Sequence, residues 1–140
     1  MKKVIVCLFP RNKYPALSGG KVIFPKDRAK LSKLMGSASE IWVYTRVYAR
    51  DTDVYLDLDV LHGCFGDEQP ADGLAVFALT KSNVSPSSSP PYTTTTMMTL
   101  PADGIFSVSP KMGMVDVAAK TYNATGSIEF ETWATLIFND

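Results

Sequence analysis

Hydrophobic and polar positions alternate along most of the chain after residue 40. Over residues 41–50, Ile, Val and Thr occupy one side of the alternation, while aromatic residues and arginine occupy the other. Over residues 53–60, aspartate and tyrosine take the polar positions. Comparable runs cover residues 74–81, 93–100, 104–109, 114–122 and 127–138. About seven strands separated by turns predict an all-β fold, an antiparallel β-sandwich with a jelly-roll-like arrangement.

The first 40 residues have a different pattern. Two short apolar runs, 4–9 and 21–24, can form strands, and prolines and glycines mark turns between them. The segment 26–35 predicts a short helix with its leucines and methionine on one face. We therefore expect a basic N-terminal arm over residues 1–40 and a β-sandwich domain over residues 41–140.

The alternation also predicts how neighbouring strands pair. A tight loop after Arg50 would join the two flanking strands into a hairpin, with Arg46 opposite Asp57 and Tyr48 opposite Tyr55. On the other side of this hairpin, apolar residues would meet apolar residues. The pattern favours this register because a shift of one residue would disturb both faces.

A second hairpin is predicted at the turn 123–126. In it, Lys120 would lie opposite Glu129, and Ala119 opposite Phe130. Opposite charges would again meet on one face and apolar side chains on the other.

Charge is distributed unevenly although the formal net charge is zero. Residues 1–50 contain 11 Lys and Arg against two acidic residues, and residues 51–140 contain three Lys against 12 acidic residues. The zero total indicates no nucleic-acid and no membrane partner. The asymmetry predicts that the basic segment meets an acidic surface, on its own body, a sister subunit or another protein.

Two cysteines, Cys7 and Cys64, are too few for a disulfide framework, so a reducing compartment is expected. The first residues have no apolar run long enough for a secretory signal, and no run in the chain approaches the length of a membrane span.

The aspartates of residues 51–60 are the first candidates for chemistry. Same-side neighbours on a strand lie about 6.6 Å apart, which overlaps the carboxylate separation of inverting glycosidases. We favour a solvated face instead, because Arg46 opposite Asp57 would stabilise the charged carboxylate. The spacing lacks the glycine and glutamate of an EF-hand loop, although a surface calcium site at Asp51 and Asp53 stays open.

The only histidine, His62, is followed closely by Cys64. Neither a set of about four zinc ligands nor a third partner for a cysteine nucleophile can be identified beside them. We therefore expect no catalytic residue, no cofactor and no metal site, and we predict that the protein is not an enzyme.

Aromatic and arginine side chains share the polar side of the strands around residue 50. Such combinations are typical of protein interfaces and of faces that stack sugars. An ordinary outer sheet face covered by the arm or by a loop is the alternative. Together with the basic arm, they give the predicted interface residues: Lys2, Lys3, Arg11, Lys13, Trp42, Tyr44, Arg46, Tyr48, Arg50 and Tyr55.

The layout of the chain resembles small virion proteins of tailed bacteriophages, especially capsid decoration (cement) proteins. The resemblance lies in a compact β-sandwich behind an N-terminal arm and in Ser/Thr/Pro-rich loops such as NVSPSSSPPYTTTT at residues 83–96. Proteins of this kind bind outside the capsid shell at junctions between major capsid subunits, often as trimers. The resemblance implies that residues 1–35 lie along the shell or a neighbouring subunit.

On this resemblance, we expect a structural virion protein that decorates and stabilises a capsid shell. Its partners would be the major capsid protein, or another virion protein, and sister copies in a homo-oligomer, with a trimer favoured. Its location would be the capsid surface of the virion, after assembly in the host cytoplasm. The alternative is a carbohydrate-binding or receptor-binding β-sandwich module that uses the same aromatic face.

Overall fold

The computed structural model describes residues 1–63, 71–79, 84–86, 100–108, 110 and 114–139. Within them, the chain forms nine strands and one helix. In chain order these are β1 (Lys2–Ala16), β2 (Lys21–Ile23), α1 (Arg28–Gly36), β3 (Glu40–Arg50), β4 (Tyr55–Gly63), β5 (Ala71–Leu79), β6 (Val84–Pro86), β7 (Ala102–Val108), β8 (Met114–Tyr122) and β9 (Gly126–Phe138). The prediction of an all-β fold with a short helix is confirmed.

The strands form two antiparallel sheets. Sheet A has the order β1-β9-β3-β7, and sheet B has the order β2-β8-β4-β5-β6. Most connections pass from one sheet to the other, as from β3 to β4 and from β8 to β9. Among the described strands, only β4, β5 and β6 follow one another within the same sheet, and the resulting strand orders are those of a jelly roll.

Inward-pointing side chains of both sheets form the core. Sheet A contributes the apolar positions of β3 and β9, and sheet B those of β4 and β8. The largest fully buried side chains are Phe9, Phe130, Leu8, Met35, Ile41, Leu56, Leu58, Ile128, Leu136 and Val43. Thr45 and Thr132, which are partners in register, place their hydroxyl oxygens 3.0 Å apart in this core, so each buried hydroxyl has a hydrogen-bond partner.

The N-terminal segment is part of the sandwich. Strand β1 pairs with β9 from Lys2 opposite Phe138 to Ala16 opposite Gly126. Its Leu8 and Phe9 side chains are only 2% exposed. The boundary predicted at residue 40 therefore does not separate an arm from a sandwich.

Two register shifts explain why the sequence pattern does not predict β1 as one continuous strand. The pairing with β9 shifts between Cys7 and Phe9 and again between Phe9 and Asn12, so the alternation is interrupted. Pro10 and Pro15 are tolerated because β1 is an edge strand, where a missing N–H need not break the ladder. The predicted turn at Pro10 is instead a bulged strand.

Helix α1 is fixed to sheet B by an ion pair. Arg28 donates from Nε and Nη2 to the Asp116 carboxylate, at 3.0 and 2.9 Å. The Phe24 ring covers the Arg28 guanidinium at 3.7 Å. Because Asp116 is buried on β8, this contact satisfies a carboxylate that water does not reach.

The first predicted hairpin is wrong. Strands β3 and β4 belong to different sheets, so β4 pairs with β8 and β5. Asp57 lies opposite Lys120, and Arg46 of β3 lies opposite Asp103 and Glu131. The alternation was correct about the inward side chains over residues 41–47 and 54–58, whereas Ala49, predicted to face inward, is exposed. A connection between two sheets is compatible with this alternation as much as a hairpin is.

The second predicted hairpin is wrong for the same reason. Strand β8 lies in sheet B and β9 in sheet A. Glu129 is paired in register with Lys13 of β1 and Ala49 of β3, rather than with Lys120.

The two connections, residues 51–54 and 123–125, lie at one end of the sandwich. Hydrogen bonds join them to each other and to the start of β9. The Asp51 backbone N–H donates to the Ser127 carbonyl at 2.9 Å, and the Ser127 N–H donates to Asp51 Oδ2 at 2.8 Å. Asn123 Nδ2 donates to the Asp53 carbonyl at 2.9 Å. Asp53 and Asn123 both adopt the left-handed backbone conformation, with φ of 62° and 78°, which suits these residue types in turns. We call residues 51–54 and 123–125 the sheet crossings.

Several sequence predictions fall outside the described residues. These include Cys64, all but the last residue of the strand expected over residues 93–100, and most of the Ser/Pro-rich segment. Within that segment, Val84–Pro86 forms the edge strand β6, where proline is tolerated.

Candidate interaction surface

The outward side chains of sheet A form four rows that cross the strands in register. We call this surface the aromatic face. Its members are Lys3, Ile137 and Glu40 in the first row; Ile5, Thr135, Trp42 and Ser107 in the second; Cys7, Trp133, Tyr44 and Ile105 in the third; and Glu131, Arg46 and Asp103 in the fourth.

The second and third rows expose large apolar side chains. Trp42 and Trp133 are each 39% exposed, Ile105 is 57% exposed and Ile5 is 69% exposed. The two tryptophans occupy diagonal positions on adjacent strands, a geometry that brings large side chains within reach of each other. An exposed, contiguous apolar patch with polar residues at its edges is typical of an interaction surface.

The fourth row is charged. The Tyr44 hydroxyl donates to Asp103 Oδ1 at 2.9 Å, and Arg46 Nε lies 3.3 Å from the same oxygen. Arg46 Nε lacks hydrogen-bond geometry there, so the contact is an ion pair without a directed bond. Burial, followed by the bond to Asp103, raises the pKa of Tyr44, which keeps its hydroxyl a neutral donor.

Beyond the fourth row, arginine and aromatic groups stack. Arg11 Nε donates to Glu129 Oε2 at 2.8 Å, and its guanidinium lies 3.6 Å from the centre of the Tyr48 ring. Arg46 approaches the same ring at 5.5 Å. These contacts hold Tyr48 between two cations at the edge of the aromatic face.

Sheet A brings together most of the residues predicted for an interface. Lys3, Trp42, Tyr44 and Arg46 lie in the aromatic face, and Arg11 and Tyr48 lie directly beside it. These residues come from strands that are distant in sequence.

The other four predicted residues lie elsewhere. Lys2 is exposed at the start of β1. Lys13 and Arg50 line a cleft of about 90 Å³ at the sheet crossings. Tyr55 belongs to sheet B, where its ring packs edge-on against Tyr122 with centroids 5.5 Å apart.

Sequence reasoning missed several members of the aromatic face: Ile5, Cys7, Ile105, Trp133, Thr135 and Ile137. A signal existed for Trp133, because it falls on the opposite side of β9 from the apolar series that fills the core. No comparable signal existed for Ile5 and Cys7, because the register shifts in β1 hide which side of the strand faces outward.

The outer face of sheet B carries a different cluster. The Tyr122 hydroxyl donates to Asp57 Oδ1 at 3.1 Å, and Lys120 lies opposite Asp57 in register. The pKa of Asp57 is raised to about 6, chiefly by burial; the hydrogen bond from Tyr122 and the charge of Lys120 offset part of the rise, and the nearby Asp59 adds to it. Burial also raises the pKa of Asp59. The expectation that Arg46 would favour the charged form of Asp57 is wrong, because Arg46 lies in the opposite sheet.

The carboxylate of Asp51, one half of the open calcium alternative, has a structural partner. It accepts hydrogen bonds from both the backbone and the hydroxyl of Ser127. Among the described residues, no group of three or more His, Cys, Asp and Glu side chains is placed to hold a metal ion.

In the described part of the chain, none of the helical structure reaches the length and apolar character that a membrane span requires.

Comparison with known proteins finds similarity in solved structures only, and it is of low identity. No family model matches the chain, and no curated protein matches it. One solved structure with a similar course of the chain is titled "Structure of infectious bursal disease virus Gt strain". It has 10% sequence identity and a TM-score of 0.45, over 97% of this chain and 32% of that chain. The chain therefore spans about a third of the length of that protein.

Proposed function

We propose that the protein is a structural component of a virus particle that acts by packing the aromatic face against another subunit. The finer proposal is a decoration protein that binds the major capsid protein and sister copies on the outside of a capsid shell, as the resemblance in layout implies. The proposal assigns it no catalytic step. The observation that supports it is the exposed pair of tryptophans between two isoleucines on one sheet face.

The jelly-roll topology is compatible with this role, since it occurs in viral capsid domains and also in lectins. A fold by itself does not determine function, so the surface has to distinguish between these classes. Aliphatic Ile5 and Ile105 on both flanks of the tryptophans favour a protein partner, because sugars are held by aromatic rings together with directed hydrogen bonds.

The proposed contact differs from the one expected of a free basic arm. Residues 2–16 are engaged along β9 within the same chain, so they cannot at the same time extend over a neighbouring subunit. In this proposal the contact is made by a rigid sheet face, which needs no segment to become ordered on binding.

The proposal is tested by measuring how much of the chain purified virus particles contain. Particles from the virus that encodes the chain are purified by density gradient, and the chain is quantified by mass spectrometry. The variant with Trp42→Ser and Trp133→Ser is expected in the particles at no more than about a tenth of the wild-type amount, because interface tryptophans dominate binding. Leu17→Ser, which changes an exposed apolar residue outside the aromatic face, is expected to leave the amount unchanged. Absence of the wild-type chain from purified particles would refute the proposal.

A carbohydrate-binding role is the second candidate, favoured by the side-by-side exposure of Trp42 and Trp133. Binding of the isolated chain to an array of glycans would support it if Trp42→Ala and Trp133→Ala each abolished the signal. Absence of binding to all glycans would remove this candidate.

A further inference from the structure

We propose that a second copy of this chain covers the aromatic face. The two copies would pack face to face about a two-fold axis that lies between the sheets, runs across the strands and passes between the second and third rows. The inference rests on the proposed function in one respect only: it takes the aromatic face as the surface that assembly covers.

The outward residues of β3 are complementary to the same residues of a second copy when the strand runs in the opposite direction. They read Glu40, Trp42, Tyr44 and Arg46, which is acid, aromatic, aromatic and base. The proposed axis reverses this order in the second copy. Glu40 of one copy then lies against Arg46 of the other, and Trp42 lies against Tyr44, at both ends of the contact. An isologous interface requires this kind of self-complementarity.

The outward residues of β9 and β1 fit the same axis. On β9, Trp133 of one copy lies over the small Thr135 of the other, so a bulky side chain meets a space rather than another bulky side chain. On β1, Ile5 lies over Cys7. Lys3 of one copy comes diagonally within reach of Glu131 of the other, which brings opposite charges together.

Arg46 can bind a second carboxylate. Its Nε lies beside Asp103 without a directed hydrogen bond, and its guanidinium has further N–H groups that can act as donors. Glu40 lies about 10 Å from the axis along the strand. Packed sheets are rotated by roughly 30° relative to each other, which displaces Glu40 by about 5 Å from the Arg46 opposite it. A long arginine side chain can cover this distance.

The size of the face suits a dimer. Four strands about 4.8 Å apart and four rows about 6.7 Å apart give a footprint of roughly 500 Å² on each copy. The total of about 1,000 Å² is close to the lower size of specific protein interfaces. Contact through one identical face closes with two copies, so this face predicts a dimer rather than a trimer.

The charge pairs permit a decisive experiment. Glu40→Arg places two pairs of arginines against each other in a dimer, and Arg46→Glu places two pairs of glutamates against each other. Each single variant is expected to dimerise at least about tenfold more weakly than the wild type, because like charges are brought together. In a mixture of the two variants, position 40 of each copy meets the opposite charge at position 46 of the other.

The mixture is therefore expected to form a 1:1 heterodimer with an affinity within a few fold of the wild-type dimer. Sedimentation velocity over a concentration series measures each state, and native mass spectrometry identifies the heterodimer. Leu17→Glu is the matched control for an exposed charge change outside the face, and it is expected to dimerise as the wild type does. Thermal unfolding of every variant establishes that the folded state is compared.

A wild-type chain that stays monomeric at all concentrations would overturn the inference. So would single variants that dimerise like the wild type, or a mixture that gives no heterodimer. These outcomes are independent of the particle test: a monomeric chain that is found in particles would remove this inference alone. A dimeric chain absent from particles would remove the proposed function alone.

Discussion

Asp57 illustrates how one carboxyl group depends on its position in the sandwich. It lies on the outer face of sheet B, half-buried, with the Tyr122 hydroxyl 3.1 Å from its Oδ1. Burial is the largest cause of its raised pKa, and Tyr122 and Lys120 offset only part of that effect. The group therefore changes charge near neutral pH instead of near its ordinary value.

Asp57→Asn is expected to stabilise the protein above pH 6. Because the folded pKa of about 6 exceeds the ordinary value of 3.8, the wild type gains stability as the pH falls through 6 and keeps that gain below 3.8. The variant lacks this gain, so it should exceed the wild type by about 1–2 kcal/mol at neutral pH, allowing for solvent screening, and match it in acid. Urea unfolding at both pH values measures the difference.

Tyr122→Phe is the companion variant. It removes the hydrogen bond that lowers the pKa of Asp57, so that pKa is expected to rise further, as NMR titration of the Asp57 carboxyl carbon would measure. Equal pH dependence of stability in the wild type and Asp57→Asn would contradict this account.

Gly126 is restricted by its neighbour at the sheet crossings. A Cβ at this position would lie 2.7 Å from Asp51 Oδ2, the atom that accepts from Ser127. Gly126→Ala therefore displaces Asp51, and both Gly126→Ala and Asp51→Ala are expected to lower the unfolding free energy by about 1–2 kcal/mol. The double variant should lose less than the sum, because both changes remove the same bonds. Additive losses in a double-mutant cycle of denaturant unfolding would refute the shared mechanism.

At the scale of elements, the alternation of apolar and polar residues predicted where several strands lie in the sequence, but not which strands pair with each other. The strand expected over residues 114–122 corresponds to β8, and the one over 127–138 differs from β9 by one residue. Their predicted pairing with each other is wrong because period-two alternation determines which side faces the core, not which sheet a strand joins. Of the interface, β3 could be predicted because its alternation holds from Ile41 to Val47, before its pairing with β9 shifts. The contribution of β1 could not, because two register shifts disturb it.

One buried charge pair contributes to the attachment of helix α1 to sheet B. Arg28→Met is expected to cost about 3 kcal/mol, because it leaves the buried Asp116 carboxylate without its cation. Lys30→Met, at an exposed position of the same helix, is expected to change stability by no more than about 0.5 kcal/mol. Urea unfolding compares the two variants, and an equal effect of both would show that the ion pair does not hold the helix.

At the scale of the whole molecule, the N-terminal segment belongs to the core. Removal of residues 1–16 takes away β1, including the buried Leu8 and Phe9, and exposes the long edge of β9. The shortened chain is expected to lose cooperative thermal unfolding, since burying each such side chain contributes about 1.5–3 kcal/mol. A chain that starts at residue 3 serves as the control. A chain shortened by 16 residues that unfolds at the wild-type temperature would instead support a dispensable arm.

Cys7 gives the aromatic face a chemical readout of its own. Its thiol lies in the third row beside Trp133, and burial and Glu131 raise its pKa, so alkylation at neutral pH is expected to be slower than that of an exposed thiol. In a Cys64→Ser background, the rate of alkylation would then report how often this sheet face is uncovered. The alkylation rate of this one sulfur atom would also measure whether the aromatic face is covered inside an assembled particle. Sedimentation and spectroscopy cannot distinguish this face from the rest of the particle.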